Sequence, residues 1–177
     1  MHNITVERAW LRLRLDWGDN AIIVFGRGEA EGWYKPHDIS QQWVKFLHYN
    51  NSVLIFYREL CTWLWAKLLQ QVFDDFMKER NSYRARKDKG KAGPSGMSRN
   101  TAFSLPETWG GKNCLLPVDI EVIQRIKKEM GGDELLEFVS REFSKRAEAA
   151  YHTLGVQKLS FKNVWQVFKN LHENMFS

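Results

Sequence analysis

Two cysteines, four prolines and no long uninterrupted apolar run leave several protein classes with nothing to build on. Cys61 and Cys114 stand far apart and neither belongs to a CxxC pair, so the sequence offers no zinc or thiol-redox motif. Their number allows one disulfide, but reduced thiols are expected in an intracellular chain. The five histidines are scattered and no HExxH occurs. The most apolar stretch, Phe46–Trp65, is interrupted by His48, Asn50, Asn51, Arg58 and Glu59, which makes it too polar for a membrane span. The opening MHNITVERAW has no apolar core of a secretory signal. An intracellular protein without a membrane partner is expected.

The glycines are equally uninformative about nucleotides. In GRGEAEG they fall at 26, 28 and 32, whereas a dinucleotide fingerprint places its third glycine one position earlier and follows a strand. KAGPSG lacks the Gly-Lys-Ser/Thr ending of a phosphate loop. No internal repeat is visible.

What is present is a chain of 177 residues, 44% hydrophobic and with eight tryptophans, enough to bury a core. The net charge of +5 favours anionic partners such as nucleic acid. Its distribution is uneven. Lys78, Arg80, Arg84, Arg86, Lys87, Lys89 and Lys91 face only Glu79 and Asp88, so this run alone holds +5 and the remainder is near neutral. Phosphates neutralised by such a run release counterions, which drives salt-dependent, sequence-independent binding. The bland alternative is a solvated linker. Tyr83, within the run, is the one residue there able to stack on a base.

Helical spacing runs over Ile4–Leu15, with Val6, Trp10 and Leu13 near one face and Asn3 as the N-cap. Asp16–Asn20 predicts a stop and turn, and Ala21–Phe25 fits either a short strand or a helical continuation. Gly26–Gly28 and Gly32, extended by Pro36, predict a loop. From Glu59 to about Tyr83, Leu60, Leu64, Leu68, Val72 and Phe76 recur at every fourth position, and Trp63, Trp65, Leu69 and Phe73 widen the stripe into a long helix. Arg84–Gly96 reads as a flexible basic linker. Met97–Val118 reads as an ordered loop packed by Phe103, Leu105, Trp109, Leu115 and Leu116.

Three helices are predicted to follow. Val118–Met130 lies between Pro117 and Gly131-Gly132. Glu134–Leu154 is capped by Asp133 and ended by Gly155, and Phe161 to about His172 is capped by Ser160. Trp63, Trp65, Trp109 and Trp165 are expected in the core. The chain is therefore mainly α, divided at 1–83, 84–117 and 118–177.

HNITVERAW, with its His2-Asn3 pair, Glu7-Arg8 and Trp10, resembles the helix that closes the catalytic core of the transposon-derived integrase family. LRLRLDWGDNAI and LCTWLWAKLL continue the likeness, and Arg86–Asp119, from RKDKGKAGPSGMSRNTAFSLP to WGGKNCLLPVD, is its most specific part. The resemblance implies the C-terminal helical fragment of a ribonuclease-H-like integrase core, followed by a helical extension. It also implies a DNA partner, a nuclear location and Mg2+-dependent strand transfer by an Asp-Asp-Glu set. In that set Glu7 is the third acidic residue, catalytic and metal-binding. Such chemistry stabilises attacking and leaving oxygens with two metal ions held by several carboxylates. The partner aspartates of the family lie upstream on its central sheet, and Asp16 and Asp19 follow Glu7 as turn residues. No catalysis by this chain alone is expected. Without the resemblance, Glu7 is an ordinary solvated carboxylate beside Arg8 or paired with Arg12.

Trp43–Arg58 matches no part of the family pattern, and its valine-lysine start and tyrosine-arginine end suit a translated intron. As a genuine segment, this insertion at 43–58 would form an extra strand or lengthen the Glu59 helix. Two other classes compete with the integrase remnant. One is a small helical interaction module with no DNA role. The other is a truncated gene model of an intact integrase, which an upstream reading frame with two well-spaced aspartates would reveal.

Overall fold

The computed structural model describes residues 4–35, 51–90, 93–112 and 116–176. These residues are mainly helical, with no β-strand among them. In order they form α1 (Ile4–Leu13), a π turn (Arg14–Gly18), α2 (Asp19–Ala30), α3 (Asn51–Ser82), α4 (Arg99–Ser104), α5 (Ile120–Glu129), α6 (Arg141–Thr153) and α7 (Val164–Phe176). Short 3-10 turns occupy Pro106–Trp109 and Gly132–Leu136. None of the described helices is long and apolar enough to cross a membrane. The chain divides into two compact units, one from 1–71 with 137–177 and one from 72–136.

The first unit holds nearly all of the buried apolar residues. The four-residue spacing of Leu60, Leu64 and Leu68 puts all three on one side of α3, where each is fully buried. Trp63, from the same helix, donates to Ser144 Oγ of α6 at 3.3 Å. Trp65 packs edge-on against Phe25 of α2 and lies 5.6 Å from Trp165 of α7, centre to centre. Gln71 Nε2 donates to Leu159 O at 2.8 Å and ties α3 to the segment between α6 and α7. Truncating a leucine such as Leu64 to alanine should cost about 3 kcal/mol, the transfer energy plus the cavity left behind. Trp10 of α1 lies outside this core, exposed.

Two breaks expected near the start of the chain are absent. Asp16–Asn20 continues as helix through the π turn, where Asp19 N donates to Arg14 O. The polar groups that suggested a turn are used within the helix. Arg12 Nε donates to Asp16 at 3.2 Å, Arg14 Nε to Asp19 at 3.5 Å, and Asn20 Nδ2 to Asp16 O at 3.2 Å. Gly26–Gly28 is likewise helical, and Ala21–Phe25 is continuation rather than strand.

Gly28 serves close packing: a Cβ there would run into the Trp165 indole. The helix runs to Ala30, and just beyond it the φ of +74° at Gly32 lets Gly32 N reach Glu29 O and Trp33 N reach Gly28 O. This pair of bonds satisfies carbonyls that the helix end would otherwise orphan.

Residues 51–58 lengthen α3 at its N-terminal end, and 43–50 lie outside the described residues. Asp133, the expected cap of a helix from Glu134, pairs with Lys127 instead. The sequence there makes a 3-10 turn, and Ser140 caps the shorter α6, its Oγ accepting from Phe143 N at 3.3 Å. At α7, Ser160 and Asn163 bond to one another, Ser160 N donating to Asn163 Oδ1 at 2.8 Å, and the helix begins at Val164 rather than Phe161.

In the second unit, Asp119 caps α5 by accepting from Glu121 N at 2.9 Å, and Ser98 caps α4 by accepting from Thr101 N at 3.1 Å. The packing expected of Met97–Val118 is not found: Phe103, Leu105, Trp109 and Leu116 are all exposed. A short helix and a 3-10 turn replace the loop but give these side chains no apolar wall. Leu115 lies outside the described residues.

Candidate nucleic-acid interface

The basic run begins on the last turns of α3 and continues past its end in the second unit. Lys78, Arg84, Arg86, Lys87 and Lys89 are exposed and Arg80 is half-buried, its guanidinium 5.9 Å from the Phe76 ring. Lys91 lies outside the described residues.

The segment expected to be a free linker is tied at several points. Ala85 N donates to Met97 O at 3.1 Å, and Arg84 Nε donates to Gly96 O at 2.7 Å. Further out, Asp88 N donates to Ser95 Oγ at 3.1 Å while Ser95 Oγ donates back to Asp88 O at 2.9 Å. Gly90 N closes a turn on Asp88 Oδ1 at 2.9 Å. Asp88, counted from sequence as charge opposing the lysines, thus organises the backbone that displays them.

Arg99 was not singled out by the sequence. Its Nη1 donates to Arg80 O at 2.8 Å, satisfying a carbonyl in the last turn of α3 and joining α4 to the basic run. Its position four residues after Ser95 carries no pattern that would have marked it.

Glu7 stands in the first turn of α1, exposed. The aspartates that follow it in sequence are engaged by Arg12 and Arg14. Among the described residues, no three of His, Cys, Asp and Glu gather as a metal site would require. His2 and Asn3 lie outside the described residues.

Two other polar groupings were not foreseen, both in the first unit. Lys67 Nζ lies 2.9 Å from both carboxylate oxygens of Glu148 and about 5 Å from the ring centres of Trp63 and Tyr151. His152 Nε2 approaches the same carboxylate at 3.2 Å. Separately, a cleft of about 270 Å³ is lined by Trp33, Tyr57, Lys169 and His172. Lys169 Nζ sits 3.9 Å over the Trp33 ring, and the rings of Tyr57 and His172 are 4.2 Å apart. Burial holds the His172 imidazole below its ordinary pKa, partly offset by Glu173, and pushes the Tyr57 phenol up.

No protein-family model, curated protein or solved structure matches the chain.

Proposed function

We propose that the chain is a remnant of an integrase-type core that binds nucleic acid through the basic run and performs no strand transfer by itself. The observation that carries this is the display of Lys78, Arg86, Lys87 and Lys89 in solvent beside and within a hydrogen-bonded loop. A tied backbone loses less entropy when its cations are ordered on phosphates than a free linker would. The integrase resemblance, strongest over Arg86–Asp119, points to DNA. The resemblance marks one candidate carboxylate, Glu7, in this sequence, where strand transfer calls for several.

Titration of a labelled duplex oligonucleotide at several salt concentrations tests the binding. Affinity should fall steeply with salt, by a log–log slope of about 0.9 for each phosphate neutralised. Arg86→Ala/Lys87→Ala/Lys89→Ala should weaken binding and flatten that slope. Arg84 is left intact because its side chain holds the loop. Unchanged affinity and slope in the triple variant would remove this interface. Nicking of supercoiled DNA with magnesium addresses catalysis: clear turnover that disappears in Glu7→Gln would overturn the proposal of an inactive remnant.

A helical interaction module has its own supporting observation. Ile120, Ile123, Ile126 and Met130 leave an apolar stripe of α5 exposed. Binding of nucleic acid that weakens with salt separates the two functions.

A further inference from the structure

Tyr83 is the first residue beyond α3, and it is 68% exposed, with the cations of the basic run on both sides of it in sequence. Its backbone is held on both sides. Tyr83 N donates to Glu79 O at 2.9 Å, Arg84 is fastened to Gly96 O at 2.7 Å, and Ala85 N bonds Met97 O at 3.1 Å. Arg99 fixes the preceding turn through Arg80 O at 2.8 Å. The aromatic face is thus presented from an anchored backbone with Lys78, Arg80, Arg84, Arg86 and Lys87 close in sequence.

We propose that this surface takes single-stranded nucleic acid, with Tyr83 as a stacking platform for one base and the surrounding cations on the flanking phosphates. The inference rests on the nucleic-acid binding proposed above and specifies its substrate. In a duplex the base faces are already stacked on one another, so a tyrosine ring gains nothing from them unless the helix is opened. In a single strand each base has a free face, and stacking on an aromatic ring adds to the phosphate attraction without regard to sequence. Cations alone would not distinguish the two forms in this way.

The test is fluorescence anisotropy with a labelled oligothymidylate and a duplex of equal length, at one fixed low salt concentration. The single strand should bind more tightly. Tyr83→Ala should lower single-strand affinity about tenfold and leave the duplex nearly unchanged, while Tyr83→Phe, which keeps the ring, should retain binding. An exposed ring makes loss of the fold by these variants a poor explanation of any difference.

If Tyr83→Ala binds the single strand as well as the wild type does, while Arg86→Ala/Lys87→Ala/Lys89→Ala weakens both forms, the stacking inference falls and the nucleic-acid function stands. If the wild type binds neither form, or binds vesicles containing anionic lipid but no oligonucleotide, both fall.

Discussion

The Trp165 indole occupies the space that a side chain at Gly28 would need, and from there its Nε1 donates to Val24 O at 2.7 Å. One residue therefore packs against α2 and hydrogen-bonds to it within a single turn. Gly28→Ala should destabilise the protein by about 3 kcal/mol, because neither the indole nor the helix backbone can move without losing that bond. Gly26→Ala is the control: nothing lies within 4 Å of its new methyl group. It should stabilise the protein by about 0.5–1 kcal/mol through helix propensity. Denaturant midpoints of the two variants, shifted in opposite directions, check both.

Cys61 is 2% exposed, and burial, with the Glu29 carboxylate adding to it, pushes its thiol up to about 12 from an ordinary 9.0. In a Cys114→Ser background Cys61 should resist a thiol reagent at neutral pH and react at the rate of unfolding or local opening. Rapid modification of the folded protein would contradict its placement. The same shift has a stability sign. Above about pH 9 the unfolded chain releases a proton that the folded chain keeps, so stability falls between about pH 9 and pH 12. Tyr34, Tyr57 and Tyr151, whose pKa values burial raises from 10.0, add to that loss at the alkaline end.

At the acid end the group to watch is His172. Its pKa is lowered from 6.5, so below about pH 6.5 the unfolded state takes up a proton more readily than the folded state. Stability contributed by this residue is present above that pH and is lost as the pH falls. Melting temperatures at pH 7.5 and 5.5 should differ more in the wild type than in His172→Gln. An equal difference would assign the acid sensitivity elsewhere.

The Lys67–Glu148 pair is a third to two-fifths exposed, so solvent screens much of its attraction. The ammonium also rests near two aromatic rings, which salt screens less. A double-mutant cycle with Lys67→Met and Glu148→Gln should give a coupling of about 1 kcal/mol. Lys67→Met should nevertheless keep most of the packing, since its chain covers the same ring edges. A coupling near zero would make the contact ornamental.

The legible part of this fold is the part governed by a period. Leu60, Leu64, Leu68 and Val72 announced α3 because burial on one helix face imposes their spacing. Trp63, Trp65 and Trp165 were placed in the core correctly, while Trp109 is exposed, since residue type alone does not say whether a wall stands nearby. Gly28 was misread because the same residue answers two demands. A glycine that relieves a turn and one that admits a tryptophan look alike until the partner, 137 positions away, is known. Asp16 and Asp19 misled in a related way, for carboxylates that cap turns also pair with arginines along a helix.

The basic run was visible as charge, but its hydrogen bonds through Ser95, Gly96 and Met97 were not, because each joins residues by geometry rather than by pattern.

The π turn at Arg14–Gly18 bears on what lengths this helix tolerates. Such a turn is in effect a spare residue carried inside a helix. A one-codon deletion there would return the backbone to α geometry and leave the face of Ile4–Leu13 aligned as it is with Asp19–Ala30, because the π turn already absorbs the extra residue. The bearing of Glu7 and the seat of Trp165 on α2 would both stay put. The same deletion in a regular turn of either flanking helix would instead rotate one end against the other by about 100°.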